Sequence, residues 1–149
     1  DGQTIATAGA EGTIRLWSAR NAQAIGTLAG HDGPVRALAF GHDATLISGG
    51  ADTTVRVWNW VERKPLATWR GHRGLVKSVA LCSDGRRAVS GSGDGTVNLW
   101  ALGDGQLLDT LGGPLEEAGD TGVYGVAMAP GCKKVIAGGI RSIEAFELP

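Results

Sequence analysis

Apolar and polar residues alternate through much of this chain in runs of about six. The clearest are VRALAF at 35–40, TLISGG at 45–50, VKSVAL at 76–81 and RAVSGS at 87–92. A period of two marks a strand that points successive side chains to opposite faces. Short turn segments separate the paired runs: Gly41-His42-Asp43-Ala44, Ser83-Asp84-Gly85 and Ala129-Pro130-Gly131. Asp and Gly suit such turns because they tolerate left-handed backbone angles. No apolar period of 3.6 residues appears, so no helix is expected.

The strand runs belong to a longer repeat. AGAEGTIRLW at 8–17, GGADTTVRVW at 49–58 and GSGDGTVNLW at 91–100 align without gaps. Each has an acid six positions before its Trp (Glu11, Asp52, Asp94) and a Thr four before it (Thr13, Thr54, Thr96). A worn copy, AGGIRSIEAF, occupies 137–146. The copies end 41, 42 and 46 residues apart. A second marker keeps phase with the first: Gly30-His31 precedes Trp58 by 27 residues, and Gly71-His72 precedes Trp100 by 28. A period near 40 built of strands alone points to propeller blades.

Gly-His, an acid and Trp in this register resemble the WD40 repeat family over nearly the whole chain. The family's Asp after the Trp is absent; Ser18, Asn59 and Ala101 stand there. The resemblance implies an all-β fold, a partial WD40-type β-propeller. It is expected to form an open arc of about three and a half four-stranded antiparallel blades, cut from a ring of about seven. The blades fall at 1–28 (incomplete), 29–69, 70–111 and 112–149 (incomplete). With strands named a to d from the axis outward, the first blade has b at 4–8, c at 13–17 and d at 24–28. The second has a at 35–40, b at 45–49, c at 54–58 and d at 65–69. The third has 76–81, 87–90, 96–100 and 106–111, and the last has a, b and c at 123–128, 134–137 and 142–146. The remaining blades would come from a longer chain or a partner chain.

Composition agrees with many turns between many strands. There are 25 glycines in 149 residues without a triplet period, and 42% of residues are hydrophobic. A net charge of −1 gives no basic field for nucleic acid. The apolar runs are well short of the ~18 residues that span a bilayer, and no signal peptide is visible. A cytoplasmic location is the expectation. Cys82 and Cys132 form no C-x-x-C pair, and spacing alone supports no bridge, so two free thiols are expected.

Several residues invite a chemical reading. His31 and His72 titrate near neutrality. The resemblance places them instead in two structural sets: His31, Ser48, Asp52 and Trp58, then His72, Ser90, Asp94 and Trp100. In each, the acid would accept from the ring, the ring would meet the hydroxyl, and the hydroxyl would meet the indole N–H. The recurrence argues against a unique active site. Gly91-Ser92-Gly93-Asp94-Gly95 looks like a phosphate loop but opens a strand, where no helix N-terminus can hold an anion. Arg15 and Arg56 read as solvated or rim residues. His42 reads as a solvated turn residue, and two cysteines with one spare histidine fall short of the four ligands of a zinc site. Trp69 takes the place of Leu28 and Leu111 and reads as outer-blade packing; Trp60, in a c–d connection, has no repeat-phased role.

The expected function is a protein-interaction scaffold that presents its loop faces to peptide or protein partners. The alternative is a regulatory or sensory appendage of a larger multidomain enzyme. No catalytic residue, cofactor, metal, nucleic acid or membrane is called for. In the family, the residue after the first apolar position of strand a often faces the channel entrance. By resemblance those are Arg36, Lys77 and Tyr124, which suit an acidic peptide, a phosphorylated one included. The long loop at 112–122 lacks the Gly-His pair and carries Glu116, Glu117 and Asp120. It is either a functional insertion beside those cations or simple repeat decay.

Overall fold

The computed structural model describes residues 2–112, 122–139 and 143–148. Its strands form four antiparallel meanders, and no helix occurs among the described residues. The first sheet is β1 (Thr4–Ala8), β2 (Thr13–Ser18) and β3 (Ala24–Ala29). The second is β4 (Val35–Phe40), β5 (Thr45–Gly50), β6 (Val55–Asn59) and β7 (Lys64–Trp69). The third is β8 (Val76–Leu81), β9 (Arg87–Ser92), β10 (Val97–Ala101) and β11 (Leu107–Leu111). The fourth is β12 (Val123–Met128), β13 (Lys134–Gly139) and β14 (Ile143–Glu147). Successive sheets stack as blades in an arc that does not close, as the repeat pattern implied.

The cores lie between the sheets rather than within them. Ile14, Leu16 and Leu28 of the first blade meet Val35, Leu46 and Trp58 of the second. Ile47, Val55, Val57 and Trp69 of the second meet Val76, Val79, Ala88 and Trp100 of the third. Val89, Val97 and Leu99 of the third meet Val123, Val135 and Ala137 of the fourth. Alternation explains the division: on β5, Leu46 points one way and Ile47 the other. Both faces of the middle blades are therefore buried, whereas β1 and β13 keep one face exposed along most of their length. The inner strands are also tied directly, since the Val126 amide donates to Ser78 Oγ at 3.0 Å.

Close stacking requires bare backbone at the contact. A Cβ on Gly49 would come within 2.5 Å of Val76 Cγ1, and one on Gly91 within 2.6 Å of Val123 Cγ1. This explains a difference from the sequence reading, which ended strand b near these glycines. The strands run on through them to Gly50, Ser92 and Gly139, because the residues that break a pattern here make room for the next blade. Conversely, β6 and β10 begin one residue later than expected, since Thr54 and Thr96 are committed to the preceding turn.

The tryptophans and cysteines outside the repeat pattern also find their places. Trp69 is buried and stacks on Trp100 of the next blade, with centroids 5.4 Å apart, so it packs between blades rather than on the outer rim. Trp60 is half-buried, edge-on to Phe40 at 5.6 Å, beside the core of the first two blades. Cys82 and Cys132 are not free thiols: they form a disulfide across the third and fourth blades, with Cα atoms 5.6 Å apart. Their separation of 50 positions follows neither repeat spacing nor a cysteine motif.

The turn before strand c needs a left-handed residue five positions before each Trp. Gly12 (φ 72°) and Gly95 (φ 85°) supply it without strain, but the second blade has Thr53 at φ 66°. A β-branched side chain is a poor fit to that region. Thr53→Gly is expected to stabilise the protein by about 1 kcal/mol, read as a higher urea midpoint at unchanged m-value. An unchanged or lower midpoint would show that the Thr53 side chain compensates for its backbone.

Candidate functional site

The polar groups at the turn-bearing end of the blades fall into two buried sets. In the second blade, His31 Nε2 lies 2.7 Å from Ser48 Oγ, and the Trp58 indole donates to the same oxygen at 2.8 Å. His31 Nδ1 lies 2.9 Å from Asp52 Oδ2. The third blade repeats this: His72 Nε2 to Ser90 Oγ 2.7 Å, Trp100 to Ser90 2.8 Å, His72 Nδ1 to Asp94 Oδ2 3.2 Å. The connectivity fixes the protons. Each serine accepts from an indole, so its own hydrogen goes to histidine Nε2, and Nδ1–H donates to the carboxylate.

Each carboxylate also organises the surrounding backbone. Asp52 accepts from the amides of Asp32 (3.0 Å) and Thr54 (3.2 Å) and from the Thr54 hydroxyl (2.8 Å). Asp94 accepts from the amides of Arg73 (2.7 Å) and Thr96 (2.9 Å) and the Thr96 hydroxyl (2.6 Å). Each aspartate thus joins the connection into strand a to the turn before strand c. Thr54 and Thr96 complete the sets; their recurrence was visible in the sequence, but no role had been attached to it.

Burial pushes both histidines below their ordinary value, and the attraction of the aspartates offsets it only in part. Burial pushes the carboxylates up, but the hydrogen bonds outweigh it and hold both at about 2. Neutral histidine beside ionised aspartate, with both histidine nitrogens engaged, is a brace rather than a nucleophile relay. The serine hydroxyls are fully buried.

The outer copies break the set in different ways. Trp17 keeps its bond to Thr7 Oγ1 at 2.8 Å, while Glu11 pairs with Arg15. Thr7, Glu11, Thr13 and Arg15 line an open cleft there. In the last blade the ladder puts Ala137 where Ser48 and Ser90 stand, and Phe146 where the tryptophans stand, so hydroxyl and indole N–H are lost together. Of the two readings of Arg56, solvated or rim, the solvated one does not hold: its guanidinium lies 3.7 Å from Asp52, and its Nε is buried without a hydrogen-bond partner. Arg15 is exposed.

Arg36, Lys77 and Tyr124 share a feature that sequence reasoning missed. On β4, Val35 pairs with Gly50 and Ala37 with Gly49, which leaves Arg36 as the extra residue of a β-bulge. Lys77 is the extra residue between Val76 and Ser78, and Tyr124 between Val123 and Gly125. A bulge re-aims the side chain it carries. Arg36 and Tyr124 are exposed, Lys77 is half-buried, and Lys77 Nζ sits 3.4 Å from the centre of the Tyr124 ring. This cation–π contact joins neighbouring blades. Glu116, Glu117 and Asp120 lie outside the described residues.

The WD domain, G-beta repeat, matches at residues 1–18, 22–59 and 63–101. The chain belongs to the WD40 repeat family. No curated protein matches it. WD40 repeats generally mediate protein–protein interaction, and WD40 domains are typically non-catalytic scaffolds. No helix among the described residues of this WD40 chain is long and apolar enough to cross a membrane.

Two tests follow from the WD40 braces. Asp94→Ala leaves buried His72 short of a partner and is expected to cost about 1–3 kcal/mol. A double-mutant cycle with His72→Ala checks it; strict additivity would deny the coupling.

The second test is pH. Below 6.5 the unfolded chain takes up protons that folded His31 and His72 resist, so stability falls as pH drops through that value. A further loss is expected between 3.8 and about 2, where Asp52 and Asp94 surrender their advantage. Urea midpoints across this range should show both declines, and His31→Gln with His72→Gln should remove the first. A decline near 6.5 that persists in that double variant would assign it elsewhere.

Proposed function

We propose that the chain is an interaction scaffold whose partner docks on the end of the blades that carries Arg36, Lys77 and Tyr124. The supporting observation is that three consecutive inner strands each place a bulge at the same repeat position. The bulged positions vary in kind, with Arg36 and Tyr124 exposed and Lys77 half-buried against the Tyr124 ring. Two cations on successive blades, one of them over an aromatic ring, favour an acidic peptide, and a phosphorylated side chain would give the cations their strongest charge-assisted bonds. The ring would offer an apolar wall to the same ligand. The braces hold the neighbouring turns, so the surface is pre-organised before a partner arrives.

The measurement is fluorescence anisotropy against acidic peptides in phosphorylated and unphosphorylated forms. Arg36→Ala with Lys77→Ala is expected to weaken binding by roughly tenfold or more, with only the small drop in melting temperature that loss of the Lys77–Tyr124 contact brings. Added salt should weaken the wild-type complex more than the variant's. If the double variant binds every captured peptide as tightly as wild type, this end is not the docking surface.

A further inference from the structure

The disulfide stands in an unusual setting for a purely structural staple. Cys82 follows β8 and Cys132 lies in the turn between β12 and β13, so both belong to a–b turns of adjacent blades. Asp84 shares the first of these turns, and ligand atoms of Cys82, Asp84 and Cys132 all lie within 4.8 Å of one another. Both cysteines are buried, whereas Asp84 is exposed. Among the described residues this is the group of thiol and carboxylate side chains that converges from two blades.

Each of the three is also held by neighbours. The Asp84 amide lies 3.2 Å from Cys82 Sγ, and Ser83 Oγ lies 3.6 Å from Cys132 Sγ. Donors beside sulfur favour its thiolate over its thiol. The Arg86 amide donates to Asp84 Oδ1 at 2.8 Å, and the Arg87 guanidinium lies 3.4 Å from Oδ2. Outer contacts of this kind orient metal ligands. His42, on the turn of the preceding blade, approaches the backbone at Gly85 but is not one of the converging ligands.

We propose that the reduced form of this cluster binds one thiophilic divalent cation, of which Zn2+ is the type, through Cys82, Cys132 and Asp84. Two sulfurs and one carboxylate favour zinc over the oxygen-seeking Mg2+ and Ca2+. Three protein ligands leave a fourth tetrahedral position, on the exposed Asp84 side, for water. A dithiol or phosphine supplies two electrons to the disulfide, and two protons complete the two thiols. The cation then binds as the thiols release those two protons. An oxidant of the disulfide or dioxygen class takes two electrons from the two thiolates, which re-form the S–S bond and release the cation. Either state ties the last blade to the third.

The test uses the whole chain, reduced with a phosphine under nitrogen and titrated with Co2+. One equivalent should bind with sulfur-to-cobalt charge-transfer absorption and the intense visible bands of a tetrahedral site, and Zn2+ should erase both. The oxidised protein should show neither. Cys132→Ser should abolish the charge-transfer band. Asp84→Asn, an exposed change that leaves the blades intact, should keep the sulfur band and lose about tenfold or more in affinity. Absence of the band in reduced wild-type protein overturns the site. Wild-type affinity in Asp84→Asn overturns the carboxylate as a ligand.

Discussion

Each sheet in this chain is apolar on both faces or nearly so, and a thin sheet cannot bury both faces by itself. The fold therefore depends on packing from one blade to the next. Val76 over bare Gly49 and Val123 over bare Gly91 set the distance of approach. Around those contacts the apolar residues of adjoining blades interdigitate, and Trp69 stacks across the boundary onto Trp100. Stability in such an arrangement is a sum over neighbours. The middle blades, covered on both sides, form the most protected part of the arc.

Packing alone leaves the connections between strands undetermined. The histidine–aspartate braces supply what apolar contact lacks, which is direction. In the second and third blades one carboxylate gathers backbone amides from two separate turns, and the histidine carries that constraint inward to a tryptophan already fixed in the core. The polar chain is thus anchored at one end by packing and at the other by the turn it holds. The last blade shows the dependence in reverse. With Ala137 in place of the serine and Phe146 in place of the indole, there is nothing for a histidine to bridge, and Ala137 and Phe146 keep only the apolar part of the design.

The repeat made most of this legible. Period-two alternation marked the inner strands, the repeat phase placed the others among the described residues, and the phased Gly-His, acid and Trp located the two braces, because structural duties recur and recurrence can be read from one chain. What stayed hidden was whatever does not recur or does not depend on residue type. The bulges at Arg36, Lys77 and Tyr124 follow from a register shift against the next strand, and register is a property of two strands. Strand b continued through Gly49 and Gly91 because of a valine on another blade. The disulfide joins different positions of two similar turns, so its spacing matches no period. Arg56 is more covered than its place on strand c suggested, because alternation says which face a side chain takes, not that the connection at Gly30 and the Asp52 carboxylate lie against it.

The same contrast separates scaffold from surface. Positions that recur with the same chemistry are spent on packing or on the braces, and mutation there is felt as stability. Positions that recur in place but change in chemistry are free to carry specificity. The bulged residue of strand a is such a position: Arg, Lys and Tyr occupy one geometric slot on three successive blades. Because the bulge takes that residue out of the hydrogen-bonded ladder, its identity can vary without disturbing the pairing on either side. Lys77 and Tyr124 already interact across the blade boundary, which makes the surface a property of neighbouring blades in register rather than of any one repeat. The packing that aligns the blades is therefore also what brings the recognition groups together.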